Sequence, residues 1–208
     1  LGILWFTKIE EHHTESLTPA TFRSSFKLLG NGFVAMMVLG IFIYVGAEQS
    51  MSSGIPLFLD DKFGIDIQKT GVAGTGLFFL ALMIGRFLGA IILNWITAKS
   101  FLLSTVVVSI IGIIGLFVGD QVVAIVSFFI IGLGFANIFP LIFSIAVDQM
   151  PERTNELSGL MVTAIVGGAI MPPIMGKVAD LSNMSAGFLV PLIGILYIAF
   201  LAFRVSKT

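Results

Sequence analysis

The chain has no cysteine. Disulfide frameworks, thiolate metal sites and thiol nucleophiles are excluded with it. Charge is scarce as well: 11% of the 208 residues are Asp, Glu, Lys or Arg, against about 25% in an average soluble domain. With 11 basic and 12 acidic side chains the net charge is −1, so no basic surface is offered to nucleic acid. The only histidines, His12 and His13, have no second ligand cluster, and a solvated linker fits them better than a metal site. No nucleophile–base pair or carboxylate dyad falls on one helical face, so nothing points to an enzyme. Cofactor motifs fail too. Gly74-Thr75-Gly76 and Gly132-Leu133-Gly134 lack the third glycine of a dinucleotide fingerprint, and Gly176-Lys177 has Met171 where a phosphate loop needs glycine. No cofactor is therefore expected.

What the chain has is apolar length. Hydrophobic residues make up 57% of it, and the mean hydropathy is +1.06. A lipid bilayer is the solvent that suits such a composition. Six apolar runs follow a polar stretch: Phe33–Leu59, Gly71–Ile96, Phe101–Gly119, Val122–Val147, Ser158–Val178 and Ala186–Phe203. Each approaches or exceeds the roughly 20 residues that cross a bilayer as a helix. Helices satisfy every backbone polar group within their own segment, which an open sheet in lipid does not. The alternating runs of about ten residues that mark a barrel are not seen. Residues 1–6 read as the end of a preceding transmembrane helix, and residues 7–30 as a polar cytoplasmic linker with a short amphipathic stretch near Phe22–Leu29. Residues 31–208 read as a C-terminal six-helix transmembrane domain.

Orientation follows from loop Lys and Arg. Placing the linker in the cytoplasm puts Lys8, Arg23, Lys27, Lys99, Arg153, Arg204 and Lys207 on that side, against Lys62, Lys69 and Lys177 opposite. Trp5 and Trp95 then both fall at the cytoplasmic interface. A faint repeat runs through the domain. Thr75-Gly76-Leu77, Ala81 and Gly85 match Ser158-Gly159-Leu160, Ala164 and Gly168 at a constant offset of 83, and Ala47-Glu48 answers Ala136-Asn137. The expected fold is all-α integral membrane, six transmembrane helices as two inverted three-helix repeats.

Glu48 is the least expected residue in the first run. A charge at that depth costs roughly 2.5–3.5 kcal/mol on insertion scales, so a partner charge, a wet cavity or a polar ligand must offset it. Tyr44, Glu48 and Ser52 share one helical face, with Gln49 adjoining. The five converging polar side chains, Ser53 included, favour a cavity over a locked structural carboxylate. Arg86 is the second intramembrane charge. By a rise of about 1.5 Å per residue it lies within roughly 7 Å of the depth of Glu48, inside the reach of a long side chain. Pairing with Glu48, snorkelling and bonding a ligand directly are all open to it. Asn137 is a neutral donor and acceptor at similar depth. It suits a sugar hydroxyl or an ordinary interhelical bond equally. Pro140 frees a carbonyl one turn back. In the fifth run Gly167-Gly168 and Pro172-Pro173 imply a hinge or tight contact. Thr163 is the run's best polar contact, although a bond to its own helix suits it better.

Five segments together carry a family likeness: Tyr44-Val45-Gly46-Ala47-Glu48, Gly85-Arg86-Phe87-Leu88-Gly89, Phe139-Pro140-Leu141-Ile142-Phe143-Ser144, Ala164 to Ile170, and Gly176-Lys177-Val178-Ala179-Asp180. In this order they resemble the C-terminal half of a major facilitator superfamily transporter, in the branch of fucose/glucose/galactose:proton symporters. The resemblance covers nearly the whole chain and is most specific from Phe139 to Asp180. It implies half of a twelve-helix fold in a bacterial inner membrane, with the linker and C-terminus cytoplasmic. It also implies import of a monosaccharide with protons, by alternating access. Partners would be the sugar, the N-terminal six-helix half and the lipid bilayer. That absent half is expected to supply part of the sugar site and the main proton-titrating carboxylates, with H+ preferred to Na+. On this reading Glu48, Gln49 and Asn137 bond sugar hydroxyls, Arg86 braces Glu48 or joins them, and Phe135, Phe139 or Phe143 stacks on the ring. Two rivals stand beside it: a six-helix scaffold or binding module without a transport cycle, and a major facilitator transporter of another small solute.

Overall fold

The computed structural model describes residues 22–68 and 72–206. The expectations placed on residues 1–21, on Lys69 and on Lys207 lie outside the described residues. The described part of the linker forms α1, Phe22–Leu28. The six runs form α2 (Gly32–Phe63), α3 (Val72–Ile92), α4 (Ala98–Val118), α5 with α6 (Gln121–Phe135, Ile138–Gln149), α7 with α8 (Thr154–Ala164, Gly167–Leu181), and α9 with α10 (Met184–Gly187, Leu189–Ser206). Six stretches are long and apolar enough to cross a membrane. No strand occurs among the described residues. They are numbered below as spans one to six.

Caps explain where the spans start and stop. Asn31 opens α2 by accepting from the Phe33 and Val34 amides, and Gly64 closes it at φ 65°, a left-handed turn that suits glycine. The apolar run ending at Ile96 outlasts its helix. Asn94 donates to the Ala90 and Ile91 carbonyls (3.4 and 3.2 Å) and stops α3 at Ile92. Thr97 then accepts from the Ser100 amide to start α4. At its far end α2 is tied to two neighbours. Lys62 Nζ donates to the Leu116 and Phe117 carbonyls (2.7 and 3.3 Å), capping α4, and Asp61 accepts from the Met184 amide at 3.1 Å.

The packing obeys the twofold exchange implied by the repeat. Span two packs chiefly on α5, and span five packs α8 on α2, so each repeat lends its second helix to the other. The third and sixth spans close the bundle from outside, α4 on α5 and α10 on α2, and touch each other. Small residues permit the crossings. A side chain on Gly85 would press on Ala136 and the Leu133 carbonyl, and one on Gly168, its repeat counterpart, would meet Val45 at 3.2 Å.

Two spans are interrupted near mid-depth. Span four breaks at Ala136 and Asn137, where Asn137 adopts φ −115°, ψ 0°. Span five breaks at Ile165 and Val166, ahead of Pro172 and Pro173 and not at them. There the amides of Ile165, Val166 and Gly168 each bond the carbonyl three residues back, tightening the chain through the break. Gly167 follows, and a Cβ there would collide with the Phe42 backbone carbonyl of α2. Gly167→Ala should therefore destabilise the purified protein by about 1–3 kcal/mol. Gly159→Ala, in open space on α7, should be neutral or stabilising by roughly 0.5–1 kcal/mol. Thermal unfolding in detergent checks both, and equal melting shifts would contradict the packing.

Candidate functional site

Glu48 on α2 and Arg86 on α3 approach each other, the pairing that the depth estimate leaves open. Nη2 of Arg86 lies 4.0 Å from Oε1 of Glu48. The contact is at the outer limit of an ion pair, and both side chains remain accessible, Glu48 at 22% and Arg86 at 61%. They open onto two adjoining depressions. One, of about 550 Å³, is bounded by Glu48, Arg86, Phe79, Leu82, Met83 and Phe87. The other, of about 410 Å³, is bounded by Glu48, Arg86, Tyr44, Val45, Phe139, Pro140 and Ile165. Both volumes are in the range of small-molecule sites, roughly 300–1,000 Å³.

The other expected residues divide. Gln49 is exposed one residue beyond Glu48. Phe139 borders the smaller depression, half-buried, with its ring nearly parallel to that of Phe143 (6.3 Å between centroids, 16°). Tyr44 contributes the floor of that depression, but its hydroxyl donates to the Phe135 carbonyl at 2.8 Å. The remaining four are placed elsewhere. Phe135 is fully buried against Tyr44 and Phe78, so neither face of its ring is open to a ligand. Ser52 is buried, and its hydroxyl bonds the Gln49 carbonyl of its own helix at 3.1 Å. Asn137 points to α3, donating to the Gly85 carbonyl at 2.7 Å, which is the interhelical alternative. Thr163 is exposed and bonds back to the Leu160 carbonyl at 2.6 Å.

The outer wall on α3 was not foreseen. Phe79, Met83, Arg86 and Phe87 recur at helical spacing, so Arg86 could have served as the index for finding it. Two carbonyl contacts were missed as well. Pro56 leaves the Ser52 carbonyl without its helical donor, and the Thr75 hydroxyl supplies one at 3.1 Å. Pro140 does the same to the Ala136 carbonyl, and Nε of Arg86 approaches it at 3.4 Å. Among the described residues no three His, Cys, Asp or Glu side chains group to hold a metal.

Six membrane-crossing helices, two interrupted spans and a charged pair opening onto one face define a multi-pass membrane protein built around a polar intramembrane site. The chain belongs to the Major Facilitator Superfamily, whose profile matches residues 1–173 and 37–208. It is thus of a transporter family and not an enzyme. It is 36% identical over 171 residues to the glucose/galactose transporter of Brucella abortus, covering 82% of this chain and 42% of that one. The L-fucose-proton symporter of Haemophilus influenzae is 28% identical over 128 residues, 59% of this chain and 30% of that one. Among solved structures, the transporter FucP in the outward conformation superposes with a TM-score of 0.84 at 22% identity, covering 99% of this chain and 51% of that chain. These names bear out the branch read from the motifs. The chain spans about half the length of the relatives it matches.

The Tyr44–Phe135 bond joins the first helices of the two repeats. Tyr44→Phe should lower stability by about 0.6–1.7 kcal/mol, the scale of buried hydrogen bonds in membrane bundles. Thermal melting of the detergent-purified protein measures this, and an unchanged melting temperature would contradict it.

Proposed function

We propose that this chain forms one six-helix half of a secondary active transporter that imports a monosaccharide together with protons. The observation that carries the reading is the Glu48–Arg86 pair, held at 4.0 Å and open to both depressions. A purely structural pair gains most when it closes and is buried in good geometry. Here the carboxylate keeps free acceptor positions and the guanidinium keeps free donors, which a sugar hydroxyl can engage together. Phe139, with Phe143 behind it, offers an apolar face to the sugar ring, and Gln49 adds an amide one residue along α2. The names of the relatives, glucose/galactose transporter and L-fucose-proton symporter, support the substrate class and the coupling ion.

The other six-helix half would close the site from the opposite side, with alternating access carried by rocking of the halves. Protons are the preferred coupling ion, sodium the alternative, and no cofactor is required. Loop Lys and Arg support a cytoplasmic linker and C-terminus, in a bacterial inner membrane.

The test is uptake of labelled galactose, glucose and fucose by the complete transporter under an imposed proton gradient. Glu48→Gln should lower kcat/KM at least about tenfold, equivalent to about 1.4 kcal/mol. Undiminished uptake by the variant would remove Glu48 from the site. Uptake that follows a sodium gradient and ignores the proton gradient would overturn the coupling ion.

A further inference from the structure

A proline inside a helix leaves the carbonyl four residues before it without an N–H partner, and lipid supplies no water in its place. In span four Pro140 stands in the first turn of α6, so the Ala136 carbonyl at the break finds no N–H four residues on, and the groups that answer it come from α2 and α3. The Ala136 carbonyl receives Nε of Arg86 at 3.4 Å. The adjacent Phe135 carbonyl receives the Tyr44 hydroxyl at 2.8 Å. Asn137, next along the break, donates to the Gly85 carbonyl at 2.7 Å. Gly85 and Arg86, consecutive on α3, thus hold the break from both sides, one as acceptor and one as donor.

Arg86 has a second acceptor. The guanidinium that approaches Ala136 through Nε faces Glu48 through Nη2 at 4.0 Å. Both distances are long for charge-assisted bonds, which run about 2.7–2.9 Å when fully made. The guanidinium therefore stands between a carboxylate on span one and a freed carbonyl in the break of span four. Both contacts draw on the same guanidinium, so a shift that tightens one bears on the other.

We infer that Arg86 is a positioning residue that couples the charge of Glu48 to the bend of span four. A charged, unoccupied Glu48 draws the guanidinium and loosens its hold on the Ala136 carbonyl. A Glu48 whose charge is lost, or whose oxygens are taken by ligand hydroxyls, releases Arg86 to the carbonyl and fixes the bend. Linkage makes the effect reciprocal: a bend that favours the Arg86–carbonyl bond also favours the occupied or neutral Glu48. This deepens the proposed sugar site and rests on it only for the natural trigger. The link from Glu48 through Arg86 to the break stands without a sugar.

These 208 residues hold no cysteine, so once any cysteine of the other half is replaced, one introduced cysteine is a single reporter. Ser144 is exposed on α6, four residues beyond Pro140. In the complete transporter in membranes, the maleimide labelling rate of Ser144→Cys reads the position of that arm. Adding Glu48→Gln should change the rate by about fivefold or more, the low end of measured couplings. In an Arg86→Gln background the same substitution should change it by less than about twofold, the spread expected of uncoupled sites. Pro140→Ala restores a backbone donor to the Ala136 carbonyl, so it too should hold the change below about twofold with Arg86 intact. An equal response to Glu48→Gln in all three backgrounds, or no response with Arg86 and Pro140 in place, would overturn the inference. If Arg86→Gln does not fold, the Pro140→Ala arm decides alone. No sugar enters these arms. Failure of sugar binding alongside the predicted labelling pattern would remove the site reading and leave the coupling standing.

Discussion

Inside a bilayer, a backbone carbonyl that loses its helical partner has no water to turn to. Much of what is distinctive in this bundle follows from that constraint. Pro56 exposes the Ser52 carbonyl, and Thr75 crosses from α3 to meet it. Pro140 exposes the Ala136 carbonyl, and Arg86 crosses from the same helix. Tyr44 reaches the neighbouring carbonyl of Phe135 from α2. At Pro56 and at the break of span four, the broken backbone and the polar side chains of mid-membrane are therefore one arrangement, in which a neighbouring helix supplies the donor. Span two carries two of these donors, Thr75 toward span one of its own repeat and Arg86 toward span four of the other.

The same constraint shapes the candidate site. Glu48 is expensive where it stands, and its charged neighbour Arg86 is shared with a carbonyl and does not close on it. That sharing leaves polar capacity facing the open depressions. The extracellular-side ties of Lys62 and Asp61 in the proposed orientation hold the far end of α2 to α4 and α9. The interruptions in spans four and five lie nearer the middle.

Much of this was legible in the residues. Six apolar runs lead to the spans, the depth match of Glu48 and Arg86 allows the pair among its alternatives, and the offset repeat gives the equivalence of spans two and five. The break in span four was not legible in its apolar run. On an unbroken helix Phe135, Phe139 and Phe143 share a face. The break at Asn137 resets the rotation, so Phe139 and Phe143 stay paired while Phe135 turns into the core against Phe78. Asn137 itself sits in the break and reaches α3, not the site. Ser52 does share the Tyr44–Glu48 face, but periodicity names a face without saying which neighbour covers it. At Ser52 that neighbour is α3, whose Thr75 bonds the Ser52 carbonyl. Of the two pairs read as a hinge or tight contact in span five, Gly167-Gly168 adjoins the break and makes the contact, while Pro172-Pro173 lies within α8. The chain yields earlier, where Gly167 lets the backbones of α8 and α2 touch.

The central claim is that the face shared by Glu48 and Arg86 holds a sugar. Ile165 borders that face and is exposed on it, while Asp66 is exposed away from it, past the end of α2. The direct measurement is maleimide labelling of Ile165→Cys in the complete transporter, with and without saturating galactose, glucose or fucose. At least one of these sugars should slow labelling several-fold while leaving Asp66→Cys unchanged. Equal labelling of Ile165→Cys with and without every one of them would contradict the account.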